Sequence, residues 1–252
     1  MRFASLGSGS KGNATLISKN ATCLLVDNGF SIKETERRLT RLGLEADRLT
    51  AILVTHEHGD HIRGVGPLAR KYGIPVWTTR GTASHPGLGE LPVLHYIDVH
   101  QSLALDDIEV QPFPVPHDAR EPCQFAFGDG AKRLGILTDT GSTTTHIVEQ
   151  LSGCDALMLE CNHDMAMLMN GSYPDSLKAR VGGRFGHLSN EQAAELLAQL
   201  DTQHLQHLVA AHLSEQNNTS GLACRALSTV LNCEPDWITV AQQDSGLSWR
   251  EI

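Results

Sequence analysis

Short runs of apolar and β-branched residues bounded by Gly, Asp or Pro recur along the whole chain and predict strands. They cover Ala14–Ser18, Cys23–Asp27, Ala51–Thr55, Pro75–Thr78, Ile108–Phe113, Gln124–Phe127, Arg133–Thr138, Ala156–Glu160, His207–Ala211 and Trp237–Ala241. Between them, apolar positions at helical spacing predict amphipathic helices over Ser31–Leu42, Gly64–Tyr72, Thr143–Leu151, Ser189–Leu200 and Leu222–Leu231. Sheets covered by helices follow from this alternation. No Gly/Ser/Pro linker or fixed-period repeat divides the chain, so one domain over residues 1–252 is expected. Met165–Gly186 has no clean periodicity and reads as a loop-rich insertion.

Composition then narrows the class. Hydrophobic residues make up 40% of 252, enough for a packed core, and the net charge of −9 argues against an unspecific polyanion binder. No stretch approaches the roughly 20 apolar residues that span a bilayer, and Met1–Gly7 lacks the apolar region of a secretory signal, so a cytoplasmic location is expected. The six cysteines contain no C-x-x-C pair and read as reduced thiols. Histidine stands out: 13 residues, more than Phe, Trp and Tyr together. Imidazole is a common zinc ligand and a frequent acid or base.

The histidines concentrate where chemistry would sit. The strand Ala51–Thr55 runs into His56-Glu57-His58-Gly59-Asp60-His61, four metal-ligand side chains in six residues. In an extended chain His56 and His58 point to one side, while Gly59 is expected to allow the turn that brings Asp60 and His61 beside them. One metal suits the first pair and a second metal the other.

This H-x-H-x-D-H arrangement resembles the metallo-β-lactamase superfamily, which implies an αββα sandwich of two mixed β-sheets flanked by helices. Its later ligands have counterparts in Pro116-His117-Asp118, Leu137-Thr138-Asp139-Thr140-Gly141 and Ala211-His212-Leu213. The resemblance implies one metal on His56, His58 and His117 and another on Asp60, His61 and His212, with Asp139 bridging. Five imidazoles and two carboxylates suit zinc, with manganese or iron as alternatives, and a metal-bound hydroxide makes hydrolysis the implied chemistry.

Within the superfamily, Gly186-His187-Leu188-Ser189-Asn190-Glu191-Gln192, with His212 25 residues after His187, resembles the nuclease branch related to ribonuclease Z and ribonuclease J. The resemblance gives His187 contact with the scissile phosphate and the leaving group, and gives Glu160 the orienting of His187; Asp60, His187 and Glu160 are the expected catalytic residues. Independently, Ser189 and Gln192 form a capping box, which sets His187 beside a helix N-terminus. Lys178, Arg180 and Arg184 could hold a phosphate or lie on a solvated basic stretch. Lys33, Arg37, Arg38 and Arg41 describe a further contact or an ordinary exposed face.

The opening Leu6-Gly7-Ser8-Gly9-Ser10-Lys11-Gly12-Asn13, the Glu160-Cys161-Asn162-His163-Asp164 run and His212-Leu213-Ser214-Glu215-Gln216-Asn217-Asn218 resemble the YycJ/WalJ-like group over nearly the whole chain. That group implies an exonuclease acting on DNA, duplex or single-stranded, from the 5′ end. The opening lacks the G-K-[ST] of a P-loop and, read alone, is a flexible turn; Asn13, Asn217 and Asn218 either reach the site or close turns. Two other readings remain: a hydrolase of a small cyclic or nucleotide phosphodiester, and a non-catalytic metal-binding regulatory protein.

Overall fold

The central strands in this chain are buried on both faces because each sheet packs on its partner with one face and on helices with the other. The computed structural model describes Met1–Ile252. One mixed sheet contains β1 (Arg2–Gly7), β2 (Ala14–Lys19), β3 (Thr22–Val26), β4 (Ala51–Leu53), β5 (Val76–Thr78), β6 (Leu94–Tyr96) and the last strand, β14 (Leu247–Glu251), in the order β14-β1-β2-β3-β4-β5-β6. The other contains β7 (Leu103–Leu105), β8 (Ile108–Pro114), β9 (Cys123–Gly128), β10 (Arg133–Leu137), β11 (Ala156–Glu160), β12 (His207–Ala211) and β13 (Thr239–Val240), in the order β13-β12-β11-β10-β9-β8-β7.

A central core joins Phe3, Ile17, Leu24 and Leu53 of the first sheet to Phe125, Phe127, Met158 and Val209 of the second. Two outer cores complete an αββα sandwich. One packs the first sheet under α1 (Ile32–Arg41) and α3 (Val65–Tyr72). The other packs the second sheet under α5 (Thr145–Leu151), α8 (Asn190–Leu197) and α9 (Ser220–Leu231). Single turns of helix, α2 (Gly59–Ile62) and α4 (Arg80–Ala83), follow β4 and β5. No helix is long and apolar enough to cross a membrane.

All ten expected strands and five expected helices form, with ends shifted by a few residues. The four unexpected strands have physical reasons to be inconspicuous. β6, β7 and β14 lie at sheet edges and are partly exposed, so no continuous apolar run marks them. β1 is diluted by Ala4, Ser5 and Gly7. The segment Met165–Gly186 is not loop-rich as expected: it holds α6 (Met165–Asn170), capped by the Asp164 carboxylate, and α7 (Asp175–Val181). α7 buries no residue, so it carries no core-facing periodicity to read.

Two further expectations are corrected. The basic face of α1 is largely a tie and not an open contact: Arg38 is buried and donates to the carbonyls of Leu6 and Gln243 at 2.7 Å, and Arg41 donates to those of Asp244 and Leu6. The Gly/Ser opening is not a free turn either. Ser8 Oγ accepts the His212 N–H at 2.8 Å, and Asn13 exchanges hydrogen bonds with Gly9. The cysteines are free thiols, all but Cys233 buried.

The parallel arrangement positions the site. β10, β11 and β12 run parallel in register, so Asp139, Glu160 and His212 emerge at one rim; β3 and β4 do the same for Asp27 and His56. Gly64 lets the turn after α2 close on the loop after β3, since a Cβ there would overlap the Phe30 carbonyl. Gly59 has no such neighbour within 4 Å, and the reversal after His58 is made by the α2 turn itself. Gly64→Ala is therefore expected to cost about 1–3 kcal/mol in urea unfolding, whereas Gly59→Ala should keep its midpoint near that of the wild type.

Candidate metal centre

Each candidate ligand arrives at the rim from a strand end or the turn behind it, and a buried partner fixes its ring. Asp27 accepts hydrogen bonds from Thr55 N–H, Thr55 Oγ1 and His61 Nδ1, each 2.8 Å. The Thr55 hydroxyl, having given its proton to Asp27, accepts from His56 Nδ1 at 2.9 Å. His117 Nδ1 donates to the Gly186 carbonyl at 3.0 Å, and His212 Nδ1 donates to Glu160 at 2.9 Å. In four histidines Nδ1 thus carries a proton directed outward, leaving Nε2 to face the site, the arrangement by which outer hydrogen bonds orient metal-binding imidazoles.

The inward atoms fall into groups whose members all lie within 4.8 Å of one another: His56, His58 and His117; Asp60, His61, Asp139 and His212; and a third with Asp139, Glu160, His187 and His212. His58 Nδ1 lies 3.1 Å from His56 Nε2 and 3.2 Å from His117 Nε2. Tetrahedral zinc with bonds of ~2.0–2.1 Å to nitrogen sets its ligand atoms roughly 3.3 Å apart, so the triad is spaced for a cation. In the second group, Asp139 Oδ2 and His212 Nε2 are buried with no hydrogen-bond partner. Orphaned donors and acceptors of this kind are rare without a ligand to satisfy them. The donor set fits a divalent metal.

Electrostatics agree. Despite burial, Asp139, Asp60 and Glu160 push the His212 imidazole up to about 10, and Asp139, Asp60 and Asp27 hold His61 well above its ordinary value. Burial, reinforced by the neighbouring His61, drives His56 well below its ordinary value. His61 and His212 therefore keep protons where His56 remains neutral. A cation replaces those protons and balances the same carboxylates. Backbone strain accompanies the placement: Asp27, Asp139 and His212 adopt φ of 59°, 52° and 55°. Left-handed conformations in non-glycine residues concentrate at functional sites.

Glu160 is fully buried behind this layer. Its Oε1 accepts from both His187 Nδ1 and His212 Nδ1 at 2.9 Å, and its Oε2 accepts the N–H groups of Thr140 (3.0 Å) and Leu188 (3.2 Å). Burial opposes the charge, yet the two histidines hold the carboxyl down to about 2. Glu160 lines neither cavity beside the site, so it positions His187 without reaching a substrate. The expected capping box of Ser189 and Gln192 is present and fixes the backbone just after His187. His187 lines a cavity of about 350 Å³ together with Asp60, Asp139 and His212, with Tyr173, Leu177 and Arg180 on the opposite wall.

The basic residues separate. Arg180 reaches this cavity but is paired with Asp118 at 2.6 Å. Lys178 donates to the Met169 carbonyl, and the Arg184 side chain is exposed over the Phe185 ring; neither lines the cavity. Positions two apart on a helix face different ways, which divides Lys178 from Arg180. Asn13 does reach the site, 3.2 Å from Asp60 Oδ2 and 3.1 Å from His61 Nε2. The Asn218 side chain bonds to the Cys161 carbonyl and Asn190 instead, and Asn217 donates its backbone N–H to Ser214 while its buried Nδ2 has no partner. Asp27 and Thr55 escaped the sequence reading because strand-end Asp and Thr are commonplace.

The family model described as the beta-lactamase superfamily domain matches residues 22–212. Exodeoxyribonuclease YycJ of Bacillus anthracis is 40% identical over 235 residues, spanning 92% of this chain and 89% of that protein. Exodeoxyribonuclease WalJ of Streptococcus pneumoniae is 35% identical over 228 residues, spanning 88% of this chain and 85% of its own. The crystal structure of the metallo-beta-lactamase fold protein YhfI from Bacillus subtilis superposes with a TM-score of 0.75 at 18% identity, over 100% of this chain and 99% of that one.

The three hydrogen bonds on Asp27 generate a test of the scaffold. Asp27→Ala leaves the buried Thr55 N–H unsatisfied and frees the His61 ring, so a loss of about 1–3 kcal/mol is expected in chemical unfolding of the metal-free protein, with metal affinity also weakened about 10–100-fold by competition with a chromogenic chelator.

Proposed function

The chain belongs to the metallo-β-lactamase superfamily of metal-dependent hydrolases, and on that premise we propose that it is a dinuclear phosphodiesterase acting on DNA as an exonuclease from the 5′ end. The observation that carries the reading is His187. It stands beside seven ligand-type side chains without joining the first two groups, its Nδ1 is held by a buried carboxylate, and its ring faces the cavity. The kinship with proteins named exodeoxyribonucleases, over about nine-tenths of this chain, supports DNA as the substrate.

In this reading His56, His58 and His117 hold one ion and Asp60, His61 and His212 the other, with Asp139 between them and all parts in one domain over residues 1–252. Zinc suits the five imidazoles, and manganese and iron are the alternatives. Divalent cations bound there supply Lewis acidity that brings water towards a pKa of about 7 and stabilises charge developing on phosphate oxygens. His187 does the acid work: with Nδ1–H committed to Glu160, the ring is held so that Nε2 can deliver a proton to the leaving oxygen. Glu160 keeps that ring in place while bonding His212, so the leaving-group acid and a metal ligand share one anchor. The small cavity favours a second reading, hydrolysis of a small cyclic or nucleotide phosphodiester.

His187→Ala should retain metal, measured by elemental analysis, while phosphodiesterase activity falls by about 10²–10⁴; His58→Ala should lose metal as well as activity. Equal metal loss in the two variants would make His187 a ligand. Duplex and single-stranded DNA labelled at the 5′ or the 3′ end, digested by protein reconstituted with zinc, manganese or iron, should release 5′-labelled mononucleotide first. Turnover of bis-p-nitrophenyl phosphate without any DNA cleavage would select the small-ester reading.

A further inference from the structure

A second cavity, about 620 Å³, adjoins the first across the turn after β4, and both are lined by His58 and Gly59. Its outer wall carries Arg63, His85 and Arg120. Several other cations of this acidic chain are held in ion pairs. Lys19, Lys71, Lys132, Arg37 and Arg180 are each paired with a carboxylate. Arg63 makes no side-chain hydrogen bond or ion pair, and the Arg120 guanidinium meets only the Ser84 hydroxyl, at 2.6 Å. His85 Nδ1 accepts the Gly87 N–H at 3.1 Å, which leaves its neutral ring a proton on Nε2 to donate.

The acceptors of this cavity are already used. Glu57 is buried, with Oε1 taking the Arg120 N–H at 2.8 Å and Oε2 taking the Thr82 hydroxyl at 3.4 Å. Beside the candidate metal centre the cavity therefore offers an anion two guanidinium groups outside any ion pair and an imidazole N–H, against one buried carboxylate, Glu57. The first cavity is lined instead by Leu177, Arg180 and Val181 of α7, with Arg180 paired to Asp118.

We propose that Arg63, His85 and Arg120 form the track for the backbone phosphates of the substrate strand, which enters across His58 and Gly59 and places its terminal nucleotide in the cavity beneath α7. The inference rests on the nuclease reading and gives it a direction of travel: the strand runs from the cationic cavity across His58 and Gly59 to the metal centre. In a protein of net charge −9, an unpaired cationic track next to the site is what offsets general repulsion of a polyanion.

The test compares metal-loaded wild type with Arg63→Ala/Arg120→Ala and Arg63→Lys/Arg120→Lys. Binding of a fluorescent phosphorothioate single strand of 20 nucleotides is followed by anisotropy between 50 and 200 mM salt. The alanine pair should weaken binding about tenfold or more and reduce the slope of log affinity against log salt by about 1.4, two phosphates at about 0.7 each. The lysine pair should recover most of both. Wild-type affinity and slope in the alanine pair would overturn the track, as would a loss that lysine does not restore. A wild type that binds this strand but cuts no ordinary DNA would sink the nuclease reading and leave the track standing; a wild type that does not bind it would sink both.

Discussion

A carboxylate without solvent must be surrounded by donors, and the Glu160 side chain meets that requirement with four of them. Two are ring nitrogens from distant parts of the chain, His187 and His212, and two are backbone amides beside Asp139 and His187. The charge thereby fixes a candidate ligand, a candidate acid and the turn after β10 relative to one another. Since β11 lies between β10 and β12, the carboxylate can reach all three neighbours from one strand end.

Asp27 performs the equivalent task on the first sheet. It holds His61 directly and His56 through the Thr55 hydroxyl. Two buried carboxylates, one per sheet, thus orient the rings that face each other across the rim. The left-handed backbone at Asp27, Asp139 and His212 is the cost of aiming strand-end side chains into one small volume. Hydrogen bonds that Ser8 Oγ and the Gly186 carbonyl accept, and one from the Asn13 amide, fasten the surrounding loops to the same layer.

Charge is partitioned to match. Arg180 at the cavity wall is paired with Asp118, whereas Arg63 and Arg120 make no ion pair and Arg120 meets only a hydroxyl. Asp139 and His212 keep unsatisfied polar atoms within the ligand cluster, while Arg63 and Arg120 line the cavity next to it. The fold sets these two environments side by side because the loop after β4 supplies the shared turn, with α2 leading to Arg63 and the loop before β9 bringing Arg120.

The H-x-H-x-D-H run, the strands ending at His56, Asp139, Glu160 and His212, and the capping box after His187 were all legible from the amino acids, because dense ligand spacing, strand periodicity and capping are local properties of the chain. The sandwich was reached through the resemblance carried by those residues. Tertiary structure alone decided which groups meet: that Glu160 holds two histidines, that Asp27 and Asn13 belong to the site, that Lys178 and Arg184 turn away from the cavity, and that Met165–Gly186 folds as two helices beside it. These depend on contacts between residues tens to hundreds of positions apart and on side chains whose local sequence is ordinary. Periodicity records which face of an element is buried; it carries no record of the partner that a single polar side chain finds across the fold.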